Sequence, residues 1–302
     1  VIVVIGEILI DIFEDYQRIG GAPFNFAFHL KKLGFPVRFF SRVGNDPHGR
    51  RIIDLLKKHR FSESDIQIDS RHPTGTVQVD LDAQGIPHFD ICENVAYDYL
   101  DINHSDVPDA GEARMIYFGS LLQRTDFGCR QVQRFLSRKT DDTIAFCDIN
   151  LRPPHVNGRA VLESLHHTDL LKVNQEELAT IQRAFDGPDA TDDVMPWLME
   201  TFRISAVALT RGDRGSSFYS RGSQIDIPSV NGVPIVDTVG AGDGYAAVLA
   251  AGCLQQIPWK ETLSQASRFA ARLCGIAGAV PDDQQFYKDF PPTMKGDPHG
   301  RE

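Results

Sequence analysis

Asp237-Thr238-Val239-Gly240-Ala241-Gly242-Asp243 carries a Gly-Ala-Gly run directly before a carboxylate, and small and apolar residues follow from Tyr245 to Leu254. That run predicts a buried helix with the glycines at its start. Glycines there let backbone N–H groups converge on one point, and the helix dipole adds partial positive charge. The result is a site for an anion. Asp243 then puts a fixed negative charge into the first turn. It reads either as a favourable helix-start carboxylate or as a base beside a transferring phosphoryl group.

Upstream of this stretch, strands and helices alternate. Residues 1–5 are apolar and mostly β-branched, the mark of a central strand buried on both faces. Pro23 suits the first turn of a helix that Gly34 ends. Residues 37–41 read as a strand, and Asp46-Pro47 starts the next helix. Residues 75–92 alternate with a period of two, which predicts a half-exposed hairpin standing off the main layer as a lid. From residue 115 on, strands at 115–118, 144–147, 169–173 and 204–209 alternate with helices. Asp126 and Asp192 are expected caps. Residues 216–227 read as a polar-faced hairpin, and a last helix spans roughly 259–276. The pattern indicates α/β architecture: a mostly parallel central sheet with helices on both faces. Ligands of such sheets bind outside the carboxyl ends of the strands.

The chain has 302 residues, 42% hydrophobic and 24% charged, an ordinary globular composition. No internal repeat or long linker divides it, so one domain over residues 1–289 is expected. Residues 290–302 are polar and rich in Pro and Gly, a tail expected to be mobile. The net charge of -10, with scattered basic residues, argues against nucleic acid as a partner. The five apolar opening residues read as a strand and not as a signal peptide or membrane span. Cysteines 92, 129, 147, 253 and 274 form no CxxC and lie mostly in apolar runs. They read as reduced thiols of a cytoplasmic protein.

Several polar motifs fall at the expected strand ends. Gly44 to Arg51 has the glycine spacing of a P-loop but lacks its Lys and Ser/Thr, so it reads as a turn and helix cap. Gly240-x-Gly242 lacks a third glycine, which argues against a dinucleotide fold. Gly20-Gly21-Ala22-Pro23-Phe24-Asn25 allows close approach of a ligand, and Asn25 could donate to one hydroxyl while accepting from another. Asp11 could accept from two adjacent hydroxyls; together they suit a polyol. Asn174-x-x-Glu177 is a capping box by pattern, and Glu177 could also hold Mg²⁺ through water. Asp148-Ile149-Asn150-Leu151-Arg152 reads equally as an internal ion pair or as a phosphate clamp.

These motifs together resemble the ribokinase-like (PfkB-type) carbohydrate kinases, and the resemblance covers roughly residues 1–280. One signature runs from Gly20-Gly21-Ala22-Pro23 and Asn25 through Ala27 and Gly34 to Gly44. The other is Asp237-Thr238-x-Gly240-Ala241-Gly242-Asp243. Asn174-x-x-Glu177 and Thr210-x-Gly212-x-x-Gly215 stand between them. The Gly-Gly-Ala-Pro-x-Asn form and the Asp-x-Asn-x-Arg run are most similar to fructokinases. Val248 departs from the Gly or Ala usual there, and the segment from Asp11 to Gly20 is short for the family.

The resemblance implies a three-layer αβα fold with a small β lid, formed by the 75–92 hairpin and part of 12–20. It implies ATP and Mg²⁺ as cofactors and a small sugar as substrate. Asp243 would be the catalytic base, with Gly240, Ala241 and Gly242 completing an anion hole. Asp11, Gly21 and Asn25 would meet the sugar, with Asn150 and Arg152 nearby. Asn174 and Glu177 would organise Mg²⁺ and phosphate, and Thr210, Gly212 and Gly215 would line the nucleotide site. Asp237 and Val239 match a region that in some relatives binds a monovalent cation such as K⁺. The lid often takes part in homodimers. A 2-keto-3-deoxygluconate kinase, a nucleoside kinase and a non-catalytic sugar-binding relative stay open as alternatives.

Overall fold

Ile2–Ile5 forms β1 in the interior of a parallel sheet, and its alternating side chains account for the layers. Ile2 and Val4 join one apolar core, while Val3 and Ile5 join the other. A strand covered on both faces needs a continuous apolar run. The computed structural model describes residues 1–81, 87–102, 107, 109–189, 191–230 and 232–290.

The remaining strands are β2 (Leu9–Ile12), β3 (Gln17–Gly20), β4 (Val37–Gly44), β5 (Ile66–Asp69), β6 (Thr76–Leu81), β7 (Pro87–Ile91), β8 (Met115–Phe118), β9 (Ile144–Asp148), β10 (Leu170–Asn174), β11 (Ala206–Thr210), β12 (Ser216–Ser220) and β13 (Ser223–Ile227). The helices are α1 (Ala22–Lys32), α2 (Pro47–Lys58), α3 (Asp126–Leu136), α4 (Gly158–His167), α5 (Gln175–Ala184), α6 (Thr191–Phe202), α7 (Ala241–Leu254) and α8 (Trp259–Cys274).

Among the described residues the main sheet runs β13-β12-β11-β10-β9-β8-β1-β4-β5. Its pairs from β11 to β5 are parallel, and β12 and β13 extend one edge antiparallel. Side chains of α1, α2, α7 and α8 pack on the face of Ile2 and Val4, and those of α3, α4, α5 and α6 on the other. This is the expected ribokinase-like α/β sandwich. A second sheet, ordered β3-β2-β6-β7, stands beside it. There Val77 pairs with Ile91 and Val79 with Phe89. Residues 82–86, which hold the hairpin turn, lie outside the described residues.

Local signals explain most boundaries. Pro23 sits in the first turn of α1, and Gly34 takes the left-handed conformation just past its end. Asp46 caps α2 by accepting from the Gly49 N–H at 2.8 Å. α7 is buried along almost its whole length, Val248 included, and the helix runs unbroken through that position. Four expectations need correction. Thr125 and not Asp126 caps α3, its hydroxyl accepting from the Gly128 N–H at 3.0 Å. α6 begins at Thr191, so Asp192 lies within it rather than before it. Asp11 does not end the first strand; it lies in β2 of the small sheet, opposite Arg18. Phe290 is no part of a loose tail, because it packs on Phe269 with ring centroids 4.7 Å apart. The expectation for residues 291–302 lies outside the described residues. β5 was not anticipated, since four residues carry too little pattern to separate a strand from a turn.

The core beneath α7 is aromatic. Phe26 of α1 stacks on Tyr117 at 3.7 Å between centroids and meets Phe146 edge-on at 5.8 Å. Phe26→Ala is expected to cost about 3–5 kcal/mol. Urea unfolding would read it as a lower midpoint at unchanged slope, and a loss under about 1 kcal/mol would contradict this packing.

Candidate active site

Gly240 determines how α7 begins. It caps the helix in the left-handed region, with φ 79°, and a Cβ there would fall 2.3 Å from the Ala279 Cβ. Only glycine fits both constraints. The Ala241 N–H reaches back to the Thr238 carbonyl at 3.3 Å, and the Gly244 N–H opens the helical ladder on the Gly240 carbonyl. Among the described residues, the N–H groups of Gly242 and Asp243 have no protein acceptor. They form the free donor pair that a helix N-terminus offers an anion.

Asp243 is buried in that first turn, 8% exposed. Asn25 donates to its Oδ2 at 2.8 Å. Burial pushes its pKa up to about 6, and the nearby Asp148 charge adds to the rise. Asn25, Lys172 and Arg152 oppose it. Asn25 thus has a structural partner as well as its expected ligand role. Its Oδ1 is buried with no partner, so it keeps one acceptor to offer.

Below this turn lies a buried ion pair. Lys172 Nζ donates to both carboxylate oxygens of Asp148, at 2.8 and 3.0 Å, and the Tyr117 hydroxyl donates to Asp148 Oδ2 at 3.2 Å. A Cβ on Gly242 would stand 3.4 Å from Lys172 Nζ, so the ammonium lies close to the first turn of α7. Burial works against the Lys172 charge, but Asp148, Glu177 and Asp243 outweigh it and raise its pKa.

Glu177 receives the Asn174 N–H on one oxygen at 2.9 Å and the Leu151 N–H on the other at 3.1 Å. The Asn174 side chain accepts from the Glu177 N–H in return, completing the capping box. Each Glu177 oxygen thus accepts one backbone N–H. Among the described residues no cluster of three or more His, Cys, Asp or Glu could hold a metal.

A small cavity opens between Glu7, Tyr117, Asp148, Asn150 and Arg152. Burial pushes Glu7 up to about 7, despite the Arg152 charge. Asp11 is pushed up to about 6 by burial, against Arg152 and Arg18. Arg152 itself is exposed, and its Nη2 donates to Asn150 Oδ1 at 3.4 Å. Asn150 Nδ2 is buried and unpartnered. Gly21, with φ 113°, lets the start of α1 approach the Glu7 carbonyl, which a Cβ would meet at 2.6 Å. Larger surface hollows around Phe28 and Phe61, and around Pro234 and Phe286, share no residue with this cluster.

Thr210 ends β11 beside Asn174. Gly212 and Gly215, both at positive φ, form the turn into β12. Asp237 accepts from the N–H groups of Val239 and Gly278, each at 3.0 Å, and pairs with Arg18 of β3 at 2.8 Å. Val239 is exposed.

Glu7, Lys172 and Arg18 escaped the sequence reading. Two of them left a signal. Glu7 follows the first strand with one glycine between, and Lys172 is a lone charge inside the apolar run Leu170-Leu171-Lys172-Val173.

The fold and this cluster define a phosphotransferase of the carbohydrate kinase class. Residues 2–284 match the pfkB family of carbohydrate kinases, and the chain belongs to that family. It is 27% identical to a fructokinase of Salmonella typhimurium over 291 residues, covering 90% of this chain and 91% of the relative. It is similar to the crystal structure of an uncharacterized sugar kinase from Pyrococcus horikoshii in complex with ATP, with TM-score 0.82 and 26% identity, over 97% of this chain and 99% of that one. A double mutant of the Vibrio cholerae fructokinase, solved with fructose, ADP and a potassium ion, shares the fold at TM-score 0.79 and 22% identity, over 95% and 96% of the two chains.

The Lys172–Asp148 pair yields a stability test. Lys172→Met leaves Asp148 buried and unpaired, at a cost of about 3–5 kcal/mol. Adding Asp148→Leu is expected to recover much of the loss in urea unfolding. A double variant no more stable than the single one would refute the pairing.

Proposed function

We propose that this carbohydrate kinase transfers the γ-phosphoryl group of ATP to a hydroxyl of fructose, with Asp243 as general base. The observation that carries the reading is Asp243 buried beside the free N–H groups of Gly242 and Asp243. Phosphoryl transfer requires alignment and charge neutralisation more than covalent help. Those N–H groups would meet charge building on the transferred group, with Lys172 behind them and Arg152 at the open side. Asp243 would accept the hydroxyl proton as the new bond forms. Its pKa near 6 keeps it ionised at neutral pH and makes it a better proton acceptor than an ordinary aspartate.

Asp11, Asn25 and the start of α1 at Gly21 would hold the sugar, with Asn150 beside them. Thr210, Gly212 and Gly215 would line the nucleotide site. Mg²⁺ would travel with ATP, held mainly by phosphate oxygens and water, with Glu177 and Asn174 in its outer surroundings. It would neutralise phosphate charge. The small sheet would close over the sugar and exclude water. A free monovalent cation is not part of the proposal, because Asp237 is already paired with Arg18. Phe24, Phe26 and Phe28 are all core residues, which leaves a nucleoside base no pocket among them and favours a sugar acceptor.

Asp243→Asn is expected to keep the fold and lose turnover by about 10²–10⁴-fold, because an amide cannot take the proton. In the wild type, kcat/KM should fall as pH drops through about 6, since protonated Asp243 is no base. Asn25→Ala removes a donor to the ionised carboxylate and should move that limb to higher pH. Near wild-type turnover in folded Asp243→Asn would refute the mechanism. ADP release with fructose, other hexoses, ribose, adenosine and 2-keto-3-deoxygluconate tests the acceptor. Activity on another acceptor and none on fructose would overturn the fructose assignment alone. A homodimer through the small sheet belongs to the same proposal and would cover Phe89, 53% exposed on β7. A monomer in sedimentation equilibrium would exclude it.

A further inference from the structure

Asp237 stands three residues before the anion hole, in the segment where the family resemblance brings a monovalent cation. Its surroundings do not fit a free ion. A potassium ion is held by converging oxygens, but the groups that converge on this carboxylate are N–H donors. Oδ1 receives the Val239 N–H at 3.0 Å. Oδ2 receives the Gly278 N–H at 3.0 Å and Arg18 Nη1 at 2.8 Å. The nearby Cys274 carbonyl is taken as well, by the N–H groups of Val236 and Asp237 at 2.7 and 3.2 Å.

The Arg18 guanidinium is seated rather than loosely paired. It lies 4.7 Å from the ring centroid of Tyr16 and 5.7 Å from that of Phe13. Those two rings stack on each other at 4.4 Å. The guanidinium also lies near Gly278, where a Cβ would come within 3.6 Å of Nη1. Aromatic faces favour a cation, and a guanidinium is always charged. Burial works to raise the Asp237 pKa, but the two N–H groups and Arg18 outweigh it and hold it below the ordinary carboxylate value.

We propose that Arg18 is a built-in monovalent cation: its guanidinium occupies the place of a potassium ion at Asp237 and makes the enzyme independent of K⁺. This rests on the kinase reading for its effect on turnover, though not for its effect on ion binding. Arg18 belongs to β3 of the small sheet, opposite Asp11. The charge that steadies the Asp237–Gly240 turn therefore comes from the element proposed to cover the sugar. Val239 N–H holds the turn from within, and Gly240 continues it into α7. Arg18 is a positioning residue: it acts on the anion hole through Asp237.

The test replaces Arg18 and offers the ion back. ADP release by the wild type is measured in K⁺, Na⁺ and choline at equal ionic strength, and the three rates are expected to agree within about twofold. Arg18→Ala should lose roughly tenfold in choline, a loss of transition-state positioning, and K⁺ should restore most of it. Arg18→Lys should stay independent of K⁺. Melting temperature gives a reading that needs no turnover: K⁺ should raise that of Arg18→Ala by about 2–4 °C over choline and leave the wild type unchanged. Thallium NMR should show bound Tl⁺ in Arg18→Ala alone. Severalfold K⁺ activation of the wild type would overturn the proposal. So would a folded Arg18→Ala that binds no Tl⁺ and gains no stability from K⁺. An enzyme inactive on every acceptor would instead refute the kinase reading, and the ion-binding results would still decide on Arg18.

Discussion

Asp243 gives up its water at the mouth of α7, and few groups replace it. Asn25 donates one hydrogen bond at 2.8 Å. Lys172, held by Asp148 beneath the same turn, supplies the buried positive charge. A lone carboxylate in such a place would be neutral, because desolvation disfavours its charged form. These neighbours hold the pKa near 6 instead. The balance sets the rest of the site. α1 must bring Asn25 to α7, so its start runs close over the Glu7 carbonyl, which Gly21 permits. β9 and β10 must place Asp148 and Lys172 side by side, which their parallel register does.

The same balance explains the number of acids around one cleft. Glu7, Asp11, Asp148, Glu177 and Asp243 would repel one another in a uniform medium. Their compensations differ across the cleft. Asp148 has Lys172 and Tyr117. Glu177 has two backbone N–H groups. Glu7 and Asp11 face the Arg152 charge, and burial leaves both with raised pKa values. On the open side of the cleft the positive charge acting on these acids is that of the exposed Arg152.

Much of this was legible in the chain. The alternation of strand and helix gave the sandwich, because a parallel sheet covered on both faces forces apolar strands and amphipathic helices into sequence. Gly240 to Asp243 announced the start of α7, since small residues before a carboxylate and an apolar run mark a helix N-terminus. The capping box at Asn174 and Glu177 was equally plain. Other parts were not. Asp11 looked like a strand-end residue because local pattern does not reveal that the chain leaves the main sheet at Gly6 and re-enters a second one. Thr125 and Asp126 differ by one position, and either residue type can cap a helix.

By itself, the sequence determined the layer architecture, the start of α7 and the family, because each is written in local spacing of apolar, small and capping residues. Only the tertiary structure decided which charges meet. Lys172 and Asp148 lie 24 residues apart, Asn25 and Asp243 218, and Arg18 and Asp237 219. No periodicity links such positions. They come together because parallel strands align their carboxyl ends, and because the small sheet folds back over the loop that leads into α7. The reading of Asp237 turned on that last contact: a carboxylate that resemblance offers to an ion is, in this fold, already held by an arginine.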